Sequence, residues 1–207
     1  MRTTLLSSLS LALSAAFLDA QTAAPTTYTL TQTESWYTLV VKTKTYRDGS
    51  KRVMDEYTDG IDRPPRTRQY WDLETHDWLL WDLSESNPPC RMSKGGGKDS
   101  IDLEDPFVLS AGRADELLED HPAHVGTETL NGFTVELYVF RGPEGEHKLW
   151  LEPKMKLIVK LERTAPEAPP HTILEVLELS LDPPPATVFQ LPASCAEEED
   201  THRQARR

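Results

Sequence analysis

The sequence has few cysteines, a deficit of cationic side chains and, beyond its first twenty residues, no long apolar run. Its 207 residues include two cysteines, and 22 Lys and Arg stand against 34 Asp and Glu, for a net charge of −12. This acidic excess repels phosphate backbones and anionic lipid headgroups, so we expect neither a nucleic-acid partner nor peripheral membrane binding. A membrane-spanning helix needs about 20 apolar residues. We therefore expect no transmembrane segment after residue 20.

The first twenty residues have the layout of an export signal. Arg2 precedes an apolar run from Leu5 to Leu18, which ends at small residues around Ala20. A basic start, a short apolar core and small residues at the cleavage site are the parts of a secretory signal peptide. We predict a cleavable signal over residues 1–20 and a soluble chain exported to the bacterial periplasm or outside the cell. A buried N-terminal helix is the alternative.

The two cysteines lie in loop-like segments, Cys90 in "NPPCRM" and Cys195 in "LPASCAEE". In an oxidising compartment, such a pair is most simply explained by one disulfide. The bond would close a loop of about 105 residues, and chain entropy would then contribute roughly 4–5 kcal/mol of stability. Two buried free thiols or a nucleophilic cysteine are the alternatives, although neither a CxxC motif nor an adjacent histidine supports a reactive thiol.

Most of the remaining chain alternates apolar and polar residues with the period of two that is typical of β-strands. Asp48-Gly49 and Asn131-Gly132 are strong signals for tight hairpin turns. A two-residue loop at Asp48-Gly49 predicts cross-strand pairs, which are Lys42 with Asp55 and Val40 with Tyr57.

The segment "QYWDLETHDWLLWDL" predicts a second hairpin, which turns at Thr75-His76. The predicted pairs are Leu73 with Trp78, Trp71 with Leu80 and Tyr70 with Trp81. Both faces of this hairpin carry large apolar side chains. Because a sheet exposed on one side alternates cleanly, we expect both faces to be covered.

Between the two β-rich halves lie a loop and a helix. Residues 84–104 are polar and rich in Gly and Pro, which predicts a loop, and its "KGGGK" lacks the GK[ST] ending and following helix of a phosphate-binding loop. The segment "DPFVLSAGRADELLEDHP" predicts one or two short helices that end before Pro122.

The stretch "HKLWLEPKMKLIVKLE" predicts a hairpin in the second half. Its odd positions are apolar, and Trp150 and Ile158 are the apolar exceptions among its even positions. A turn at 153–155 places Trp150 opposite Ile158, which makes the two exceptions one cross-strand pair worth about 0.2–1 kcal/mol.

Three segments of the second half together match a known pattern: "LNGFTVELYVF", "HKLWLEPKMKLIVKLE" and "LEVLELSLDPPPATVFQLP". An NG turn, a strand containing W-[IVL]-[DE], a short turn, L-x-x-K and a closing F-x-L-P follow one another over residues 126–192. This stretch resembles the periplasmic lipoprotein-carrier (LolA-like) and related outer-membrane-lipoprotein superfamily. The matching residues are Asn131, Gly132, Trp150, Leu151, Glu152, Leu157, Lys160, Phe189, Leu191 and Pro192.

The resemblance implies a mainly β fold with a strongly curved antiparallel sheet, an incomplete barrel. One or two short helices and a loop would cover its concave face. We expect a single domain over residues 21–195 and a disordered charged tail over 196–207. Family members hold acyl chains or apolar segments of partners in the cavity. The predicted ligand-binding residues are Trp71, Trp78, Leu80, Trp81, Phe107, Val135, Leu137 and Trp150.

Two functions follow from this interpretation. The first is a monomeric carrier that holds a lipid, an acyl chain or a lipoprotein in an apolar cavity. The second is a protein–protein interaction, sensor or envelope-assembly module whose core is filled. An enzyme is the least favoured interpretation, because no catalytic motif occurs and the H-x-x-H spacing of His121 and His124 is interrupted by Pro122. We therefore predict no enzymatic activity, no metal and no cofactor.

Overall fold

The computed structural model describes residues 24–36, 39–58, 64–83, 90–93, 105–142 and 145–191. The predicted signal peptide, the charged tail and Cys195 lie outside these ranges. The signal, the tail and the Cys90–Cys195 disulfide therefore stay predictions.

The described chain forms eleven strands, one α-helix and one short 3₁₀ helix. The elements of the first half are β1 (Thr27–Trp36), β2 (Leu39–Asp48), β3 (Lys51–Tyr57), β4 (Thr67–Asp72), β5 (Asp77–Asp82), β6 (Cys90–Ser93) and α1 (Pro106–Glu119). Those of the second half are β7 (Ala123–Leu130), β8 (Phe133–Gly142), β9 (Gly145–Glu152), β10 (Leu157–Thr164), β11 (His171–Ser180) and the 3₁₀ helix Ala186–Phe189.

All eleven strands belong to one antiparallel sheet in the order β6-β5-β4-β3-β2-β1-β11-β10-β9-β8-β7. The sheet is thus two meanders, β1–β6 and β7–β11, which are joined where β1 pairs with β11. The sheet is curved and open, with β6 and β7 at its two ends, and α1 follows β6 in the chain. The predicted fold class, an incomplete antiparallel barrel with a covering helix, is confirmed.

The predicted loop over 84–104 is wrong in one part, because β6 lies within it and pairs with β5. The predicted helical stretch forms one helix, α1, and ends before Pro122 as expected. Its buried residues are Pro106, Phe107, Ser110 and Ala114.

The two tight turns differ in how well the sequence locates them. Asn131-Gly132 forms the loop between β7 and β8, and both residues have positive φ angles, 50° and 84°. The first hairpin is predicted at the correct place but in the wrong register. Its loop is Gly49-Ser50, because Gly49 takes the positive φ of 59° at the first loop position, as in a type II′ turn. The observed pairs are therefore Lys44 with Asp55 and Lys42 with Tyr57.

The β4–β5 hairpin is also shifted from the predicted register. The loop has four residues, 73–76, so Trp71 pairs with Trp78 and Tyr70 with Leu79. The Asp72 carboxylate accepts hydrogen bonds from the backbone N–H groups of Glu74 and Thr75, at 3.0 and 3.2 Å. This side-chain-closed turn is what sets the longer loop.

The β9–β10 hairpin corrects the predicted Trp150–Ile158 pair. The turn has four residues, 153–156, and Glu152 accepts a 2.8 Å hydrogen bond from the N–H of Met155 inside it. Ile158 pairs with Leu151, and a bulge at Val159 then places Lys160 opposite Trp150. The two even-numbered exceptions therefore face opposite sides of the sheet.

The core consists of two clusters of buried side chains. The first comprises Tyr28, Leu30, Phe107, Val135, Trp150, Leu157, Val159 and Val176, and the second comprises Ala114, Leu149, Leu151, Ile158 and Leu161. Along β9, Leu149 and Leu151 belong to the second cluster and Trp150 to the first. Since consecutive strand residues point to opposite faces, both faces of the second meander are covered.

Candidate functional site: a groove at the start of helix α1

Helix α1 is tied to the first meander by a buried carboxylate. Asp105 is the N-cap of α1, and its Oδ1 accepts a 2.9 Å hydrogen bond from the N–H of Phe107. Its Oδ2 accepts hydrogen bonds from the Tyr28 hydroxyl at 3.0 Å and from Arg47 at 2.8 Å. Asp105 is 2% exposed, so this contact holds the start of α1 against β1 and β2.

Arg52 adds a second cation to the same carboxylate. Its guanidinium lies 3.7 Å from Asp105 Oδ2 and 4.4 Å from the centre of the Trp71 ring. Both side chains are almost fully buried. Burial, followed by the negative charge of Asp105, raises the pKa of the Tyr28 hydroxyl, which stays a protonated donor. Tyr28, Arg47, Arg52 and Asp105 are called the Asp105 cluster below.

The far part of α1 is held by other contacts. Ala114 belongs to the second core cluster, and Leu117 and Leu118 pack against it. The Ser110 hydroxyl donates to the carbonyl of Lys156 at 3.0 Å and accepts from the N–H of Ile158 at 2.5 Å. The Lys156 ammonium lies 2.7 Å from the Asp115 carboxylate. These contacts fix the helix over the β9–β10 turn.

Beside the start of α1 lies an open groove of about 390 Å³. Its floor is the helix-side face of β1–β4, because the paired residues Gln32, Thr43 and Glu56 all line it. Its full lining comprises Gln32, Glu34, Val41, Thr43, Thr45, Met54, Glu56, Gln69, Pro106 and Leu109. We call this the helix-start groove.

The lining of the helix-start groove combines hydrogen-bonding side chains with an apolar rim. Six of its ten residues carry an amide, a hydroxyl or a carboxylate. Gln32 donates a 3.0 Å hydrogen bond to the Glu34 carboxylate, and Gln69 accepts one from the Trp78 indole at 3.4 Å. Leu109 is 53% exposed at one side of the groove. Such a lining offers both donors and acceptors to an occupant, together with apolar contact.

A second cavity, of about 600 Å³, lies near the end of α1. Its lining residues are Asp120, His121, Pro122, Ala123, Val139, Phe140, Arg141, Gly142 and His147. The His147 ring stacks on Phe140 with centroids 5.0 Å apart, and Arg141 is paired with Glu146. The Arg141 side chain is 82% exposed, so this cavity is a shallow surface cleft.

The predicted ligand-binding residues do not form one site. Phe107, Val135 and Trp150 are buried in the first core cluster, and Leu137 packs against it. Trp71, Trp78 and Leu80 share the helix-side face with Gln69, next to the helix-start groove. Trp81 pairs with Arg68 and therefore faces the other side. None of these eight residues lines either of the two cavities described above.

The histidine pair does not form a metal site in the described chain. His121 follows α1 with a φ of 50°, and His124 lies in β7 with its ring 5.1 Å from the Tyr138 ring. Among the residues that the structure describes, no group of three or more His, Cys, Asp or Glu side chains is arranged to hold a metal. Within the same residues, no helix combines the length and apolar character that crossing a bilayer requires.

Sequence reasoning missed the helix-start groove and the Asp105 cluster. The signal for the cluster was present, because Asp105-Pro106 is a typical N-cap followed by proline in the first turn. The groove left a weaker signal. Its polar residues occupy alternate positions of β1 and β2, and the same alternation is typical of a solvent-exposed face.

No protein-family model and no curated protein sequence matches the chain. Several solved structures are similar in shape. MucB in complex with MucA(peri) is 14% identical, with a TM-score of 0.44, over 82% of this chain and 55% of that chain. The Pseudomonas aeruginosa MucA/MucB complex gives 13% identity and a TM-score of 0.45, over 83% and 57%. This chain thus spans little more than half the length of the MucB structures that it matches.

An uncharacterized conserved protein from Thermus thermophilus is 10% identical, with a TM-score of 0.44. That match covers 84% of this chain and 88% of the Thermus chain.

Proposed function

We propose that this chain is an exported, non-enzymatic binding module that holds a segment of a protein partner in the helix-start groove. The observation that carries the proposal is the mixed lining of this groove, in which six hydrogen-bonding side chains lie beside four apolar ones. A polypeptide segment matches such a lining, because it brings backbone donors and acceptors together with apolar side chains.

An acyl chain fits the same groove less well. Covering polar groups with methylenes removes their water without replacing the hydrogen bonds, at a cost of about 1–3 kcal/mol for each group. Small-ligand pockets are lined mainly by apolar and aromatic side chains, whereas Thr43, Gln69 and Glu56 form much of this floor. Two aromatic residues predicted to line an acyl site, Phe107 and Trp150, are buried in the first core cluster.

The alternative is a carrier for a lipid or a lipidated partner, as the resemblance of residues 126–192 to the lipoprotein carriers implies. The exposed Leu39 and Leu109, each 53% exposed, favour contact with an apolar group near the groove. In that case the lipid would lie along this rim, and a protein segment would not be needed.

Site-specific photo-crosslinking distinguishes the two. A photoreactive amino acid replaces Thr43 in the groove, and the matched control replaces Lys44, the next residue of β2, which faces the other side of the sheet. Both variants are expressed in the cells that make the protein and are irradiated there. We expect a discrete protein adduct from position 43 and none from position 44.

Equal adducts at both positions, or no protein adduct at position 43, would overturn the proposal. Native mass spectrometry of the purified chain is the second measurement. A co-purifying lipid that is lost on substitution of Leu109 by Asp, together with the absence of a position-43 protein adduct, would establish the carrier alternative instead.

A further inference from the structure

We infer that the segment held in the helix-start groove carries a Lys or Arg side chain flanked by apolar side chains. This inference rests on the proposed function and specifies the chemistry of the partner. Its basis is the charge of the groove. The ten lining residues include two carboxylates, Glu34 and Glu56, and none of the ten is Lys, Arg or His.

The two carboxylates come from different strands of one face. Glu34 lies on β1 opposite Val41, and Glu56 lies on β3 opposite Thr43. Neighbouring strands are about 4.8 Å apart, so the backbones of β1 and β3 are separated by roughly 10 Å, with β2 between them. Glu34 lies two residues further along the sheet than Glu56, and its carboxylate accepts a hydrogen bond from Gln32, which is opposite Thr43. A Lys or Arg side chain placed above Thr43 can therefore approach both carboxylates.

On β2 and β3, the cations of the same face are engaged elsewhere. Arg47 and Arg52 are the next residues along the helix-side face of β2 and β3, and both are directed to Asp105. Lys42 and Lys44 lie between the lining positions of β2 and therefore point to the opposite face. The groove thus has two negative charges that no cationic lining residue offsets.

A partner segment that covers the groove removes water from both carboxylates. Without a counter-charge, such burial is strongly unfavourable, whereas a guanidinium or ammonium with direct hydrogen bonds offsets it. The groove therefore selects basic occupants. It disfavours neutral ones through desolvation of the carboxylates, and it disfavours acidic ones through charge repulsion as well.

The apolar lining residues determine what flanks the cation. Val41 pairs with Glu34, and Met54 pairs with Thr45 on the other side of the row formed by Gln32, Thr43 and Glu56. In an extended segment, residues two apart point to the same face. The pattern that matches is apolar–x–Lys/Arg–x–apolar, with the cation directed at the carboxylates and the two apolar side chains at Val41 and Met54.

Defined peptides test the inference on the intact mature chain. The probes are three blocked peptides, Ser-Leu-Ser-Lys-Ser-Leu-Ser and its versions with Gln or Glu in place of Lys. Binding is followed by backbone NMR shifts, which report both affinity and location. We expect the Lys peptide to shift groove residues such as Thr43 and Met54 and to bind at least tenfold more tightly than the Gln peptide, with the Glu peptide weaker still.

Variants identify the groups responsible. Glu34→Gln and Glu56→Gln should each weaken the Lys peptide by about three- to tenfold while leaving or improving the Gln peptide. The matched control is Glu178→Gln, which removes the same charge from an exposed position of β11 outside the groove and should change affinity less than twofold.

The outcomes separate this inference from the proposed function. If the Lys and Gln peptides bind the groove equally, the charge requirement is wrong and the docking groove stands. If the Lys peptide binds but Glu56→Gln and Glu178→Gln weaken it alike, the preference is due to net charge and the inference is wrong. If no peptide shifts groove residues at millimolar concentration, both the inference and the proposed function fail.

Discussion

One helix covers two halves of a sheet whose helix-side faces are built differently. In the second meander, the strands below α1 contribute Leu149, Leu151, Ile158 and Leu161, which are at most 4% exposed. In the first meander, the corresponding face holds the Asp105 cluster and the helix-start groove. The first half is thus held to α1 by charge as well as by the Phe107–Tyr28 ring contact and is left partly open, whereas the second half is filled by apolar packing.

The difference follows from how each pair of strands alternates. The last four residues of β9 and the first three of β10 are all buried, whatever face they point to. In β1, the buried Tyr28 and Leu30 are followed by half-buried polar residues from Gln32 to Ser35, and Lys42, Thr43 and Lys44 of β2 are half-buried as well. The buried surface of β9 and β10 leaves no room for an occupant. The half-buried polar surface of β1 and β2 can accept one without loss of the fold.

The most damaging substitution should be one that removes the charge at the junction. Asp105→Ala takes the carboxylate from two arginines, of which Arg52 is 1% exposed, and also removes the N-cap acceptor of α1. Breaking a buried charge network costs about 3–5 kcal/mol, and loss of a cap about 1 kcal/mol. We expect a loss of about 4 kcal/mol in urea-induced unfolding.

Asp105→Asn is the matched control, because it keeps an oxygen for the N–H of Phe107 while it removes the charge. Asp105→Asn should be about 1 kcal/mol more stable than Asp105→Ala, because it restores the helix cap and not the charge. If Asp105→Asn were as stable as the unmodified chain, the first meander would not depend on charge and the contrast between the two halves would be wrong.

A cavity-creating substitution should lower the free energy of unfolding when it is made in the packed second meander. Leu149 is fully buried in the second core cluster, so Leu149→Ala removes three carbon atoms and leaves a void, at a cost of about 3 kcal/mol. Leu109→Ala makes the same chemical change at a position that is 53% exposed at the rim of the groove, and should cost less than about 0.5 kcal/mol. Thermal and urea unfolding of the two variants give the comparison directly. Similar losses would show that the groove rim is packed.

Local sequence patterns predicted the hairpins and the helix, whereas the curved open sheet was predicted only from the resemblance of residues 126–192 to the lipoprotein carriers. Asn131-Gly132 is an example, since both residues accept a positive φ and no distant contact is needed. Two of the three wrong registers arose where a side chain reshaped a loop. The Asp72 carboxylate lengthens one loop, and Glu152 lengthens another. Each of those hydrogen bonds stabilises the longer loop by about 1 kcal/mol. The alternation of apolar and polar residues along the strands does not reveal this contribution.

The candidate site was less predictable than the fold. Apolar aromatic residues were expected to line it, but Phe107 and Trp150 are central to the core. The polar groove depends on which strands meet beneath Pro106 and Leu109, residues that are distant in sequence from β1 and β4. That proximity arises from the position of α1, which the Asp105 cluster and the contacts of Ser110 determine.

A moderate effect is expected from alkaline pH on the first meander. Burial, and then the charge of Asp55, raises the pKa of Tyr57 to about 12, and Tyr57 is 8% exposed. Because the folded state resists ionisation of this hydroxyl, its contribution to stability is complete below pH ~10 and is lost as the pH rises to about 12, by roughly 2 kcal/mol. Urea unfolding across this range, for the unmodified chain and for Tyr57→Phe, measures the loss.

Tyr57→Phe should lose less stability than the unmodified chain between pH ~10 and about 12. In the second meander, burial and the hydrogen bond to Glu136 raise the pKa of Tyr138 to about 12, but this residue is only half-buried. Tyr138→Phe should therefore reduce the alkaline loss by less than Tyr57→Phe does. The reverse order would mean that burial is not the cause of the first shift.

The smallest expected effect concerns Lys160, which brings a positive charge to the apolar second meander. Its ammonium lies 5.4 Å from the centre of the Trp150 ring and 2.8 Å from the Glu162 carboxylate. Lys160→Met keeps the aliphatic stem and should cost about 0.5–1 kcal/mol through the lost cation–π and ion-pair contacts. Lys148→Met is the control, since the Lys148 ammonium is 3.9 Å from Glu146 and more exposed, and should cost about 0.2 kcal/mol. Because the bulge at Val159 is what places Lys160 over Trp150, equal stability of the two variants in urea would show that packing alone holds this half of the sheet.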